Sequence, residues 1–220
     1  MSDLIENIKS LRDTTGVGFL DCKKALEKNN NNIEQSIDYL RKKGLSKASK
    51  KISRVANEGA VGVFVTPEKA LLIEINTETD FAAKSDIFLN FFENIAKHAL
   101  NYNFKDKFIL DEFMEYEIEN MNISTYFNEI IAQIGENIIL RRLKLLENDE
   151  NTKIFSYTHN SYKENIGKIC VILKAEIDSE NIDTLKLGKN LCMHIAASKP
   201  LALDINELDL SLIEKEKEIQ

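Results

Sequence analysis

The chain reads Ala60-Val-Gly-Val-Phe-Val-Thr66, then Pro67-Glu68-Lys69, and then Ala70-Leu-Leu-Ile-Glu-Ile-Asn76. Both flanks are rich in Val, Ile or Leu, and a proline with charged residues separates them, which predicts two strands joined by a turn. Apolar residues at helical spacing follow, at Ile87, Phe88, Phe91, Phe92, Ile95 and Leu100. The chain therefore contains a strand–strand–helix unit, which is typical of an α+β fold.

A second copy of this unit follows further along the chain. A helix ending near residue 134 and a strand over 138–146 close the first copy. Two further strands and a helix over 182–197 then repeat the plan, and Glu93–Ala99 can be laid over Lys189–Ile195. Only a charged helical tail follows the second copy. We therefore expect the second unit to be incomplete.

Three short amphipathic helices precede the strands. The first carries Leu4, Ile5, Ile8 and Leu11 and ends at Gly16, and the second carries Phe19, Cys22, Ala25 and Leu26. Asn32 and Gln35 form a capping box for the third, which buries Ile33, Ile37 and Leu40 and ends at Gly44. A bundle this small suits recognition of a partner better than it suits an active site.

A basic stretch begins in the last turn of the third helix and continues beyond it. It has seven basic residues and no acid, so it carries +7 and the rest of the chain sums to −14: Arg41, Lys42, Lys43, Lys47, Lys50, Lys51 and Arg54. The stretch is either a nucleic-acid contact or a solvated linker helix. No aromatic residue interleaves it, so single-stranded nucleic acid has no stacking platform.

Composition excludes several classes of protein. The chain has 220 residues, 43% of them hydrophobic, and a net charge of −7, which is ordinary for a globular protein. No apolar run approaches the length of a membrane span, and acids stand where a signal peptide has bases. Three widely spaced cysteines form no disulfide framework. We therefore expect a cytoplasmic protein without a membrane partner.

No pattern typical of a catalytic or metal site occurs. Cys192 and His194 point to different sides of a helix, and no further ligands have zinc-site spacing. Gly16-Val17-Gly18 lacks the third glycine of a dinucleotide fingerprint and reads as a turn between helices. We expect neither enzymatic chemistry nor a cofactor.

The polar loop Asn76-Thr77-Glu78-Thr79-Asp80-Phe81 has two interpretations. In the first, Asp80 caps the next helix and Phe81 joins its core. In the second, Phe81 is presented to a partner's pocket with Asp80 hydrogen-bonding beside it, because aromatic anchors are typical of interface centres.

Several ordered stretches resemble the elongation factor Ts family of bacteria. They are Leu11–Leu26, Leu40–Gly44, the Lys-Ala-Ser-Lys-Lys segment from Lys47, Glu78–Phe81, Ile134–Ile138 with Arg141-Arg142, and Met193–Pro200. The resemblance implies a guanine-nucleotide exchange factor for elongation factor Tu, which would be its partner in the GDP-bound and nucleotide-free forms. It also implies a three-helix module like ubiquitin-associated domains and a core of two related α+β subdomains.

The resemblance also implies which residues contact the partner. Arg12, Phe19, Leu20 and Lys23 would lie on its GTPase domain, where the family often has two methionines in place of Phe19-Leu20. Thr79, Asp80 and Phe81 would enter beside its phosphate site and dislodge its magnesium ion, and His159 would contact another of its domains. A nucleic-acid-binding module using residues 41–54 and a reader of ubiquitin-like proteins remain alternatives.

These observations predict five segments. They are a three-helix module over 1–45, a basic linker helix over 46–58, a first core subdomain over 59–147, an incomplete second subdomain over 148–200 and a charged helical tail over 201–220. The incomplete second subdomain predicts an unpaired sheet edge, which favours self-association. No direct contact with nucleic acid is expected from an exchange factor of this family.

Overall fold

The structure, a computed structural model, describes residues 2–15, 17, 19–49, 51, 53–104, 110–118 and 120–219. It is a mixed α and β fold. Its elements in chain order are α1 (Ser2–Thr15), α2 (Phe19–Lys28), α3 (Ile33–Ser49), β1 (Glu58–Val65), β2 (Lys69–Thr77), α4 (Asp80–Ala83), α5 (Asp86–Asn101), α6 (Leu110–Met114), β3 (Glu117–Ile118), β4 (Met121–Asn122), α7 (Ile123–Ile134), β5 (Ile138–Glu147), β6 (Thr152–Lys163), β7 (Ile166–Glu176), α8 (Ile182–Ser198), a 3-10 turn (Ile205–Glu207) and α9 (Leu210–Ile219).

The predicted group of three N-terminal helices is confirmed. α1, α2 and α3 enclose a small core made of Ile8, Leu11, Cys22, Ala25, Leu26 and Leu40. Asn32 accepts a hydrogen bond from the backbone N–H of Gln35 at 2.9 Å, so the predicted cap of α3 is present. Phe19 was expected in the apolar stripe of α2, but its side chain is 48% exposed. Gly16, the expected end of the first helix, lies outside the described residues.

The prediction that Gly44 ends the third helix is wrong, because α3 continues through it to Ser49. A Cβ atom on Gly44 would lie 2.9 Å from the Cβ of Ala132 on α7. The glycine therefore allows two helices to approach closely and does not act as a C-cap. The predicted linker helix over 46–58 begins as the last residues of α3, but residues 53–57 form no helix.

The main sheet has five antiparallel strands in the order β5-β2-β1-β7-β6. The hairpin β1–β2 confirms the strands predicted on either side of Pro67, and β5, β6 and β7 confirm the other three. The two strand–strand–helix units share this sheet, because Val61 pairs with Gly167 and Gly62 pairs with Ile166. The repeat in the sequence does not predict that junction.

Helices cover the sheet on both faces. α5 and α7 pack on β1, β2 and β5 around a large cluster that includes Phe88, Phe91, Phe92, Ile95 and Ile131. Ile166 of β7 belongs to that cluster, whereas Ile169, Val171 and Leu173 of the same strand pack with Cys192 and Ala196 of α8. Since successive side chains of a strand point to opposite faces, α5 and α8 lie on opposite sides of the sheet.

Candidate functional site

Phe81 lies on a short turn of helix that projects from the end of β2. Thr79 is the N-cap of α4, and its side chain accepts a hydrogen bond from the backbone N–H of Ala82 at 3.2 Å. The next residue, Asp80, is in the first turn, and the side chain of Phe81 is 82% exposed. The interpretation that makes Asp80 the cap and Phe81 a core residue is therefore wrong. The alternative, a presented aromatic side chain, agrees with this geometry.

Two loops are joined by a reciprocal pair of carboxylates just before Phe81. Thr79 donates its backbone N–H to Glu136 Oε2 at 2.9 Å and its hydroxyl to Glu136 Oε1 at 2.7 Å. In the opposite direction, the backbone N–H of Asn137 donates to Glu78 Oε1 at 2.6 Å. We call Glu78, Thr79, Glu136 and Asn137 the carboxylate clasp. It ties the β2–α4 loop to the α7–β5 loop.

The clasp is anchored in the connection that enters β1. The buried side chain of Asn137 donates to the carbonyl of Arg54 at 2.7 Å, and the Arg54 guanidinium lies 3.5 Å from Glu78. Arg141 donates to Asn76 at 2.9 Å and to the carbonyl of Ala56 at 3.3 Å. These bonds connect the start of β5, the end of β2 and the segment before β1, so the base of the Phe81 turn is held from three sides.

Gly135 sets the direction of the second loop. It is the C-cap of α7, and its φ of 90° lies in the left-handed region that favours glycine. Its carbonyl accepts a hydrogen bond from Lys51 Nζ. Sequence reasoning assigned no role to Glu136 or Asn137, although both lie in Ile134–Ile138, one of the stretches that carries the family resemblance.

Asp80 is already paired within the chain. Its carboxylate lies 2.7 Å from Lys84 Nζ, which is also 5.6 Å from the centre of the Tyr162 ring. The hydrogen bond from Lys84 lowers the pKa of Asp80, and the same bond raises the pKa of Lys84. Both groups are therefore charged near neutral pH. A partner group that binds Asp80 has to share or replace Lys84.

The predicted N-terminal contact residues lie at the corner between α1 and α2. Arg12 is exposed in the last turn of α1, and Leu20 is 69% exposed at the start of α2 beside Phe19. Lys23 is exposed as well and lies 3.7 Å from Glu27. The corner thus presents two apolar side chains flanked by basic ones.

His159 lies on β6, at the sheet edge opposite β5 and three strands away from β2. Its side chain is exposed, and Nδ1 is 3.0 Å from the hydroxyl of Tyr157. The sheet order separates His159 from the Phe81 turn, so these two predicted contacts belong to different surfaces.

The basic stretch is largely used inside the chain. Arg41 pairs with Glu129 on α7 at 2.6 Å, and Lys43 pairs with Asp21 at 3.0 Å. Lys51 and Arg54 bind the two loops of the clasp region, as described above. The side chains of Lys47 and Lys50 lie outside the described residues. The nucleic-acid alternative is without support.

Neither a metal-binding cluster nor a membrane-spanning helix is found among the described residues. No group of three or more His, Cys, Asp or Glu side chains in the described part of the chain is arranged to hold a metal ion. Within the same residues, no helix has both the length and the apolar character needed to cross a membrane.

Comparison with known proteins identifies relatives over the whole chain. The sequence model of the family described as Elongation factor TS matches residues 78–220. The chain is 42% identical over 212 residues to "Elongation factor Ts" of Rhodopseudomonas palustris strain BisA53, a match that covers 96% of this chain and 67% of that relative. Its identity is 40% to the protein of the same name from Ruegeria sp. strain TM1040, covering 97% and 69%, and 38% to that of Bartonella henselae, covering 100% and 70%. The chain spans about two thirds of the length of these relatives and belongs to the elongation factor Ts family.

Proposed function

We propose that this chain promotes the release of GDP from elongation factor Tu, and that Phe81 is the side chain that drives the release. Membership of the elongation factor Ts family supports a nucleotide-exchange role in translation elongation. The observation that carries the assignment to Phe81 is its 82% exposure on a turn whose base is tied down by the carboxylate clasp. A large apolar side chain held in solvent by a fixed backbone is suited to enter a partner's pocket.

The mechanism is differential binding. Magnesium and the phosphate-binding loop of a GTPase hold GDP through charge-assisted contacts. An exchange factor that prefers the nucleotide-free form lowers the affinity for GDP by its coupling free energy, and GDP lowers the affinity for the factor equally. Phe81 acts as a wedge that shifts side chains of the partner until magnesium coordination is lost. The reaction makes and breaks no covalent bond in this chain.

A second contact supplies affinity without taking part in the release. The corner formed by Arg12, Phe19, Leu20 and Lys23 docks on the GTPase domain of the partner, and His159 contacts another of its domains. The exposure of two neighbouring apolar side chains at the start of α2 supports the first of these contacts. Basic side chains on either side of them favour an acidic rim on the partner.

The test is the release of fluorescent GDP from elongation factor Tu against excess unlabelled GDP, measured over a series of concentrations of this chain. Removing an interface anchor typically costs about 2 kcal/mol or more. Phe81→Ala should therefore lower the maximal release rate by about 30-fold. Ile182→Ala, at a side chain of equal exposure (83%) on α8, is the matched control and should release GDP at the wild-type rate.

The possible failures have different meanings. Normal release with Phe81→Ala would show that the wedge is another residue. Binding of the wild-type chain to elongation factor Tu without any acceleration would show that it docks but does not exchange. A folded chain that does not bind at all would contradict the proposed function.

A further inference from the structure

We infer that Glu136 is a positioning residue for nucleotide exchange, holding the Phe81 turn in its projecting orientation before the partner arrives. This inference rests on the proposed function. Glu136 lies on the α7–β5 loop and Phe81 follows the β2–α4 loop. The link between them is the pair of hydrogen bonds that Thr79 donates to Glu136 from its backbone N–H and its hydroxyl.

The Phe81 turn is held at its entry by this contact and on its inner side by Ala82 and Ala83, which are buried. α4 has four residues, which is too short for a helix to be stable alone. Its internal backbone bonds are long, with Ala83 N–H to Thr79 O and Lys84 N–H to Phe81 O both at 3.3 Å. Since the Phe81 ring is exposed, packing does not fix its direction. That direction follows from the backbone that begins at Thr79.

Glu136 fixes that backbone at its first residue. Each of its two carboxylate oxygens accepts one hydrogen bond from Thr79, and bonds to an ionised acceptor are about twice as strong as neutral ones. The Thr79 hydroxyl that donates to Glu136 also accepts the capping bond from Ala82, so the cap and the clasp share one group. The loss of Glu136 therefore weakens the entry to α4, leaving the Thr79 hydroxyl without its acceptor and the Thr79 carbonyl bonded to Thr77 Oγ1 at 2.7 Å.

A turn that is ordered before binding loses less conformational freedom in the complex. Docking through the α1–α2 corner does not involve Glu136, so the cost of losing Glu136 falls on the release step. We expect Glu136→Ala to lower the maximal rate of GDP release by about tenfold. The concentration of factor that gives half of the maximal rate should change by less than about twofold.

Conservative and control variants separate positioning from general damage. Glu136→Gln keeps an oxygen for the Thr79 N–H and offers an amide N–H to the Thr79 hydroxyl, so it should restore most of the rate. Glu180→Ala is the control for the loss of one carboxylate. Glu180 follows β7 and pairs with Lys153 of β6 at 2.7 Å, so this variant should behave as wild type. Thr79→Ala removes the hydroxyl that donates to Glu136 and should slow release as Glu136→Ala does.

A double-mutant cycle tests whether Glu136 acts through Phe81. If it does, Phe81→Ala with Glu136→Ala releases GDP no more slowly than Phe81→Ala alone. Losses that multiply would overturn the inference, because they would show an independent effect of Glu136. Failure of the proposed function would give a different result, because Phe81→Ala alone would then release GDP at the wild-type rate.

A measurement without the partner tests the same point in the free chain. The chain contains no tryptophan, so Phe81→Trp introduces a single tryptophan, which can be excited apart from the tyrosines. The fluorescence anisotropy of that variant should show a larger fast component when Glu136→Ala is added, and no change when Glu180→Ala is added. An unchanged decay with Glu136→Ala would overturn the inference even if exchange were slow. Thr79→Ala in the same background provides the test if Glu136→Ala does not fold.

Discussion

The ring of Phe155 on β6 packs directly on Gly188 of α8, so closely that a Cβ atom on the glycine would fall inside 3.0 Å of the ring. The first unit has the same contact with the partners exchanged, because a Cβ on Gly62 of β1 would lie 2.5 Å from the Phe92 ring of α5. Phe92 and Gly188 take the same place when Glu93–Ala99 is laid over Lys189–Ile195. Each unit therefore pairs one ring with one glycine, and the ring belongs to the helix in one and to the strand in the other.

This packing predicts that Gly188→Ala destabilises the chain. Alanine in place of glycine normally stabilises a helix by about 1 kcal/mol. Here the added methyl group displaces the Phe155 ring, and overpacking of this kind costs about 1 to 3 kcal/mol. Urea unfolding followed by circular dichroism should show the loss as a lower midpoint with an unchanged slope.

The smaller side chain in Phe155→Leu should make room for that methyl group. Gly188→Ala with Phe155→Leu is therefore expected to be more stable than the sum of the two single losses allows. Strictly additive losses would mean that the ring and the glycine are not coupled.

Local features of the fold could be predicted from sequence, and the long-range ones could not. The strands flanking Pro67 and the cap at Asn32 follow from periodicity and turn chemistry within a few residues. The pairing of Gly62 with Ile166 depends on two segments about a hundred residues apart, and nothing in either one specifies the other. Glu136 was missed for the same reason, because its partner Thr79 is 57 residues away.

A glycine can end a helix or allow two helices to pack closely, and Gly44 does the second. α3 continues through Gly44, which faces Ala132 of α7. The local sequence contains no information about α7, so it favours a C-cap at Gly44.

The contact between α3 and α7 should control how firmly the N-terminal helices are docked on the core. Gly44→Leu forces the two helices apart and removes the approach that lets Arg41 pair with Glu129 at 2.6 Å. We expect trypsin to cleave within residues 41–54 several times faster in this variant than in wild type. Gly44→Ala with Ala132→Gly moves the methyl group from α7 to α3, keeps the close approach of the two helices and should be cleaved at close to the wild-type rate. Equal cleavage of Gly44→Leu and wild type would contradict a docking role for this contact.

The three cysteines should be unreactive in the folded chain. All are free, and burial raises the pKa of each thiol, that of Cys170 to about 11. Thiolate is the reactive form, so a thiol reagent at pH 8 should modify the native chain slowly and find three thiols in urea. Rapid modification of Cys170 in the folded chain would contradict this environment.

The raised pKa of Cys170 makes the free energy of unfolding depend on pH between about 9 and 11. The folded chain keeps Cys170 protonated, whereas the unfolded chain ionises it from about pH 9. Its contribution is therefore complete below pH 9 and is lost as the pH rises towards 11. Cys170→Ser does not ionise there, so urea midpoints of wild type should fall faster than those of the variant between pH 9 and 11. Parallel curves over that range would show that Cys170 does not titrate in this way.

Variants at the α1–α2 corner and at the Phe81 turn should change different parameters of GDP release. Phe19→Ala with Leu20→Ala removes apolar contact area at the α1–α2 corner but leaves the Phe81 turn intact. Truncating these two exposed interface side chains should cost about 2 kcal/mol of binding, or about 30-fold in the concentration that gives half-maximal GDP release. The maximal rate itself should stay within about twofold of wild type, because the wedge still acts once the complex forms. Ile5→Ala, a 64% exposed position on the neighbouring α1, serves as the control and should change neither quantity. A lower maximal rate at an unchanged half-maximal concentration would instead place the corner in the release step, and docking would then have to be assigned to another surface.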